Sequence, residues 1–209
     1  MTKAVRPAVM GGADPATLRF YSEEAEVYVA GGPGGVSRRL VGFLEMLQPG
    51  ARILELGCGG GRDAEAMIAA GFEVDPTDGS AAIARKAEAR LGRTVRVMQF
   101  AELDAVASYD AVWANASLLH VPREALPAIL ALVFRALKPG GLHFGSYKGG
   151  GIEGRDAYGR YFNYLSQAEL VGMYERSAPW QVVDVAEFVG GGYDGLQGPW
   201  IAITARRGG

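Results

Sequence analysis

The chain's clearest chemical signal is a glycine-rich run flanked by carboxylates. Glu55-Leu56-Gly57-Cys58-Gly59-Gly60-Gly61-Arg62 follows the apolar pair Ile53-Leu54 and reads as a short strand, a glycine turn and a helix start. Glycines in that setting let backbone approach a ligand where a side chain would collide, so a nucleotide-like ligand is the first expectation. A dinucleotide turn asks for Gly-x-Gly-x-x-Gly, the third glycine packing the helix closely. Counted from Gly57, that third position holds Arg62. No Gly-Lys-Ser/Thr follows, which argues against a triphosphate loop. A carboxylate at the strand end, Glu55, repels phosphates and accepts bonds from an amine or a ribose hydroxyl. The preference is for a cationic, phosphate-free nucleoside, with a purely structural turn as the plain alternative.

Asp78 strengthens the nucleoside reading. It lies about twenty residues past the glycines, where a carboxylate can chelate two ribose hydroxyls. An Asx turn or helix cap is its other reading, but Ser80 suits the cap better and leaves Asp78 free. Farther on, His120 can take a proton from a hydroxyl, thiol or amine near neutral pH, or be a packed histidine. His143 lies inside a strand and reads as packing. Tyr147, Arg155, Tyr158, Arg160 and Tyr161 form a cluster suited to a flat or anionic acceptor, or to packing a loop on the sheet. Tyr147 and His120 are the candidate catalytic residues. Two histidines and the single Cys58 give no histidine or thiolate metal cluster, so no metal is expected.

The elements that must position these groups alternate. Asp14 can cap a helix carrying Tyr21 and Tyr28, and after the glycines of 31–35 the residues Val36, Leu40, Phe43 and Leu47 recur at helical spacing. These helices can form a lid over residues 14–47. Then come a strand to Leu56, a helix over 64–70, and a strand from Phe72 that Pro76 is expected to stop or bulge before Asp78. A helix runs to Leu91 and strands follow at 95–100 and 109–114. A helix spans 123–137, Lys138-Pro139-Gly140-Gly141 turns, and a strand covers 142–147. Residues 149–164 read as a flexible stretch, and the capping box Ser166-Gln167-Ala168-Glu169 opens a helix. Two last strands, 180–188 and 200–206, are joined by a long glycine-rich loop, 189–199. Strand alternating with helix predicts an α/β, doubly wound, mostly parallel sheet with its ligands at the carboxyl ends of the strands.

The 209 residues fit one domain, 1–209, with a sizeable core. A composition 49% hydrophobic and 21% charged is that of a globular protein rather than a disordered one. The formal charge of -2, with basic residues scattered, argues against nucleic acid as a dominant partner. No long apolar segment or signal-peptide pattern appears, so no membrane association and a cytoplasmic location are the expectation.

The Glu55–Arg62 run, Asp78, Tyr109-Asp110-Ala111-Val112, Lys138-Pro139-Gly140-Gly141 and the closing hairpin together resemble a class I methyltransferase dependent on S-adenosylmethionine, over about residue 14 to the end. The Arg62-Asp63 pair and the 74–80 segment look closest to small-molecule or tellurite-resistance-type members. The resemblance implies a seven-stranded sheet of order 3-2-1-4-5-7-6 with strand seven antiparallel. It implies S-adenosylmethionine as cofactor and methyl transfer to a small-molecule acceptor by in-line displacement. It places Glu55, Gly57 and Gly59 around the cofactor's amino-acid part, with Arg62 pairing its carboxylate or supporting a helix. Asp78 then holds the ribose, and Gly79 or Ser80 borders the base. Glu102 and the Leu103 backbone contact adenine, and Asn115 or Ala116 borders the methionine part. Tyr21 and Tyr28 line the lid or form an ordinary apolar face. Two alternatives stay open, a nicotinamide-dependent oxidoreductase and a non-catalytic S-adenosylmethionine-binding protein. Neither the acceptor nor the oligomeric state is legible.

Overall fold

The computed structural model describes residues 12–31 and 35–208, so the expected N-terminal arm and most of the 31–35 glycine break lie outside the described residues. Seven strands form the main sheet: β1 (Arg52–Leu56), β2 (Glu73–Asp78), β3 (Arg96–Val97), β4 (Tyr109–Ala114), β5 (Leu137–Lys148), β8 (Trp180–Gly191) and β9 (Gln197–Arg207). A separate two-stranded ribbon holds β6 (Gly154–Arg155) and β7 (Tyr161–Phe162). The main order is β3-β2-β1-β4-β5-β9-β8. Counted within that sheet alone, this is the expected 3-2-1-4-5-7-6, and its last strand runs antiparallel to β5. The helices are α1 (Pro15–Glu23), α2 (Ala25–Gly31), α3 (Leu40–Leu44), α4 (Arg62–Ala69), α5 (Ala81–Leu91), α6 (Leu126–Ala136) and α7 (Gln167–Ser177).

Strand alternation divides the core into two layers. Leu54 and Leu56 of β1 join Val112 and Ala114 of β4 under α6 and α7. Ile53, Ala111, Trp113 and Phe144 face the other way, onto Met67 of α4 and Leu40 and Phe43 of α3. Trp113 stacks on Phe144 at 4.1 Å between ring centroids. Each large apolar side chain so buried stabilises the fold by roughly 1.5–3 kcal/mol before chain entropy is counted. With both faces covered, the central strands β1 and β4 read as nearly continuous apolar runs, whereas β2, farther from the centre, does not.

Helix ends follow the side-chain chemistry. Asp14 caps α1 by accepting from Thr17 N, Ser80 caps α5 and Gly92 closes it in the left-handed region, and Ser166 with Glu169 forms the capping box of α7. Among the described residues no helix is long and apolar enough to cross a membrane.

Four expectations change. Pro76 neither stops nor bulges β2, which pairs with β1 through Glu55↔Pro76 and Leu56↔Thr77. The Thr77 carbonyl faces β1, where it accepts from Gly57 N and Cys58 N. Alternation therefore turns the Pro76 nitrogen toward β3, whose pairing begins only at Thr77↔Arg96. The ladder loses no bond to β1. The helix expected over Val36–Leu47 shrinks to the five residues of α3, leaving Val36 exposed. The long loop 189–199 is mostly strand: pairing continues to Gly191↔Gln197. The stretch 149–164 is built around the β6–β7 ribbon rather than left without structure.

Candidate functional site

The glycine turn is shaped by contacts only glycine tolerates. Gly57 (φ +76°), Gly59 (φ +54°) and Gly61 (φ +77°) all lie in the left-handed region. A Cβ on Gly57 would stand 2.6 Å from the Ser117 Cβ, closer than real atoms approach. Gly61 opens α4 as its N-cap, held against Ala87 and Leu91 of α5. The turn is tied to β2 by Gly57 N and Cys58 N, which donate to the Thr77 carbonyl at 2.9 and 2.8 Å. Cys58 is a small packed side chain beside Ala84, Ala87 and Val95, its thiol pushed up by burial.

Asp78 ends β2 beside this turn. Its Oδ2 accepts from Gly59 N at 3.1 Å and its Oδ1 from Ser80 N at 2.9 Å. Ser80 caps α5 with its own hydroxyl. Each carboxylate oxygen keeps a further acceptor position, and burial raises the group's pKa to about 6 despite those two N–H donors.

Glu55 lies beneath the turn, between Pro76 and Trp113 in register. It is 3% exposed, and its Oε2 is buried with no partner among the described residues. Burial, then the nearby Asp63 and Asp78, hold its carboxyl well above the usual range. Asp63, also buried, accepts from Ser37 N (2.7 Å), Trp113 Nε1 (2.9 Å) and Asn115 Nδ2 (3.3 Å). Asn115 Oδ1 in turn accepts from Ser146 Oγ at 2.8 Å, and that oxygen accepts from Ala116 N at 2.8 Å. The loop after β4 is thus fixed by a buried polar chain running back to α4.

On the other side stands His120, in a short helical turn after β4. Its Nδ1 lies 2.6 Å from the Tyr161 carbonyl and its Nε2 2.9 Å from the Tyr21 hydroxyl. A carbonyl only accepts, so Nδ1 carries the proton and Nε2 accepts from Tyr21. Burial, with the positive charge of Arg160, drives the imidazole down to about 4. Helix α1 is tied to this side by Arg155, which donates to both Asp14 oxygens at 2.8 and 2.7 Å, and by Tyr161 N, which donates to Thr17 Oγ1 at 2.8 Å. Arg160 donates to Asp156 through Nε and Nη2 and lies 5.0–5.5 Å from the ring centres of Phe20, Tyr158, Phe162 and Tyr193.

These groups lie in or around one cleft at the carboxyl ends of the strands, a space of about 600 Å³ counted with the solvent at its mouth. Of the residues singled out from sequence, Tyr21, Tyr28, Gly57, Gly59, Asp78, Gly79, Ala116 and His120 line it. Glu55 and Asn115 stand behind the wall, and Ser80 sits under it as the α5 cap. Arg62 reaches Val29 O of α2 at 3.2 Å. Two positions fall away from the lining. Glu102 is spent accepting from Gln99 N and Leu103 is buried in the core, while Met98, Gln99 and Phe100 form that wall instead. Tyr147 is fully buried on the α7 side, its hydroxyl 3.3 Å from that of Tyr174, so the expectation that it touches an acceptor is corrected. The sequence reading also missed Ser117, Thr17 and Asp63. Asp63 was detectable in principle as an acid in the first turn of the helix after the glycines.

The arrangement suits a nucleoside with a cationic head. Asp78 offers paired acceptor positions on the cleft floor. Glu55 holds an orphaned acceptor beneath the turn, and Gly57 lets the turn close onto Ser117, where an added methyl would collide. A methyltransferase-domain family model matches residues 53–141. A ubiquinone biosynthesis O-methyltransferase of Xanthomonas campestris pv. campestris is 37% identical over 103 residues, 46% of this chain and 42% of the relative. The chain thus spans less than half the length of the curated relatives it matches. A Methanosarcina mazei S-adenosylmethionine-dependent methyltransferase superposes with a TM-score of 0.74 at 19% identity, over 84% of this chain and 99% of that one. A Burkholderia thailandensis 1,6-didemethyltoxoflavin-N1-methyltransferase, with its substrate and S-adenosylhomocysteine bound, gives 0.71 at 22% identity, over 92% and 85%. With the strand order, these likenesses identify the architecture: the chain has the class I S-adenosylmethionine-dependent methyltransferase fold.

Proposed function

We propose that the protein transfers a methyl group from S-adenosylmethionine to a small-molecule acceptor. The observation that carries this reading is the pairing of Asp78 on the cleft floor with the partnerless Oε2 of buried Glu55 beneath the same glycine turn. A buried carboxyl oxygen without a partner is costly, and a cationic amine is the ligand group that would pair with it and favour its ionised form. Of the named relatives, one acts in ubiquinone biosynthesis and one on 1,6-didemethyltoxoflavin, which supports the small-molecule subgroup. The tellurite-resistance alternative rests on the Arg62-Asp63 pair and the 74–80 segment.

In this reading Glu55 accepts from the cofactor's amino group, Asp78 from its ribose hydroxyls, and Met98 to Phe100 border its base. Gly57 and Gly59 let the turn approach. When bound, S-adenosylmethionine supplies a methyl group on a sulfonium whose sulfur is already a good leaving group. The chain's remaining work is alignment and exclusion of water. Helix α1, with α2, forms the lid, fastened across the acceptor side by Arg155 and Tyr161. His120, held neutral and lining the cleft, is the proton acceptor on that side.

Titration calorimetry with S-adenosylhomocysteine and with NAD tests the reading. Binding of the former, lost in Asp78→Ala, is the expected result. Tight binding of NAD alone would overturn it in favour of an oxidoreductase. Cofactor binding without methyl transfer to any member of a broad metabolite panel would leave a binding protein.

A further inference from the structure

Resting on that methyltransferase reading, we propose that the acceptor is an uncharged, planar molecule, because the cleft offers it aromatic rings while the cations around the acceptor side are already paired within the protein. The tyrosines and arginines of 155–161 suit a flat or an anionic acceptor in sequence, and the ion pairs separate the two. Arg160 donates to Asp156 through Nε and Nη2 at 2.9 and 2.6 Å, and both side chains are almost wholly buried. Arg155 grips both oxygens of Asp14. Lys148, at the end of β5, lies 3.7 Å from Asp194 of the β8–β9 tip. Among the described residues that line the cleft there is no lysine or arginine.

A carboxylate or phosphate entering this side would give up its water and meet no unpaired positive charge of the protein. Beside Arg160 it would also meet Asp156, so attraction and repulsion oppose each other. Arg160 is held in that pair by the rings of Phe20, Tyr158, Phe162 and Tyr193 that enclose it. A cationic acceptor is disfavoured as well. Asp78, the carboxylate among the lining residues, is committed in this reading to the ribose, and the sulfonium repels a second positive charge.

What the cleft presents instead is rings. Tyr21, Tyr28, Phe100 and His120 all line it. The Tyr21 hydroxyl is filled by bonds with His120 Nε2 at 2.9 Å, with Arg160 Nη1 at 3.3 Å and with Tyr28, so α1 offers an acceptor its ring rather than its polar tip. Burial keeps His120 neutral at pH 7, its pKa lowered to about 4. Ser117 lines the same space, and its buried Oγ has no partner among the described residues. A neutral hydroxyl so placed matches a neutral polar group. Rings with few, uncharged polar groups take a flat and weakly polar molecule.

The test titrates three nearly isosteric probes, benzamide, benzoate and benzamidine, into the full chain already holding S-adenosylhomocysteine at pH 7. On one planar frame they are neutral, anionic and cationic. Benzamide is expected to bind about tenfold or more tighter than either charged probe, with nuclear Overhauser contacts from its ring to Tyr21 or His120. Asp156→Asn keeps an acceptor for Arg160 but removes the charge that neutralises it. Benzoate affinity should then rise about tenfold or more, with benzamide affinity changed by less than about threefold. The inference is overturned if a charged probe binds within tenfold of benzamide, if benzamide does not bind or binds without those ring contacts, or if a folded Asp156→Asn gains nothing for benzoate. Should Asp156→Asn fail to fold, the ranking of the three probes on the unaltered chain decides. Failure of that chain to bind S-adenosylhomocysteine would instead overturn the methyltransferase reading beneath it.

Discussion

The two sides of the cleft are built differently. The β1–β2 side is made of backbone: three left-handed glycines, a Thr77 carbonyl accepting two N–H groups, and one carboxylate held by two more. Its parts fall within residues 55–80, and their geometry follows from the absence of side chains. The side formed by α1, the loop after β4 and the β6–β7 ribbon is made of side chains drawn from distant stretches. Tyr21 meets His120 across 99 residues and Arg160 across 139. A backbone-built half can recognise the constant part of a ligand. A side-chain-built half can be altered one residue at a time, which is how one fold serves many acceptors.

The sharpest break of the backbone half is Gly57→Ala. Its Cβ would meet Ser117 Cβ at 2.6 Å and its φ is +76°, so we expect a stability loss of about 2–4 kcal/mol. S-adenosylhomocysteine affinity should fall on the order of a hundredfold, by calorimetry. Gly59→Ala is the control: its Cβ would meet only Tyr28 Cε1 at 3.8 Å, so the left-handed backbone alone should cost about 1–2 kcal/mol. Equal effects at both positions would show that the close approach to Ser117 carries no weight.

Asp78 provides the next test, and its titration has a definite sign. Burial raises its pKa from 3.8 to about 6, so the folded chain holds that proton more tightly than the unfolded one. This group's contribution to stability is present below pH 3.8 and is lost as pH rises toward 6. Only the ionised form accepts from two ribose hydroxyls at once, and with stronger bonds, so cofactor affinity runs the opposite way. We expect roughly a tenfold loss of S-adenosylhomocysteine affinity between pH 7 and 5. Asp78→Asn should bind more weakly at pH 7 and lose most of that pH dependence. Asp78→Ala should weaken binding by about 30-fold or more, roughly 2 kcal/mol, and His120→Ala by less than about threefold. The reverse order would erase the division between the two halves.

The same division explains what was legible in the sequence. Gly57, Gly59 and Asp78 could be read because a glycine turn and a strand-end carboxylate are local patterns, and the sheet order came with the family resemblance that the motifs carry together. Pro76 misled because a proline's cost depends on which neighbour its nitrogen faces, and that is set by pairing. Met98 to Phe100 rather than Glu102 and Leu103 reach the cleft because β3 ends at Val97 and the next turn carries the chain back into the core. Tyr147 counts with the tyrosines and arginines of 155–161 in sequence, but strand alternation turns it to the α7 face, away from them. Arg160 and Tyr193 became a cluster only through the ribbon and the hairpin tip, contacts with no local signature.

The weakest expected effect is the most specific test of the lid. Arg155 joins the ribbon to α1 through Asp14, and the arginine side chain is 48% exposed against 12% for the aspartate. A pair exposed on one side is screened, so Arg155→Gln should cost no more than about 1 kcal/mol in urea unfolding. Asp14→Ala should cost more, about 1–2 kcal/mol, because the same carboxylate also accepts from Thr17 N and caps α1. The four hydrogen bonds from Arg155 and Thr17 hold the Asp14 carboxyl at about 2, against the burial that would raise it, so the difference between the variants should persist down to about pH 3. If the pair fastens the lid, Arg155→Gln should speed release of S-adenosylhomocysteine in stopped flow by about two- to fivefold, within the same 1 kcal/mol. An unchanged release rate would mean that Tyr21 and Thr17 hold α1 by themselves, leaving Asp14 as a helix cap and nothing more.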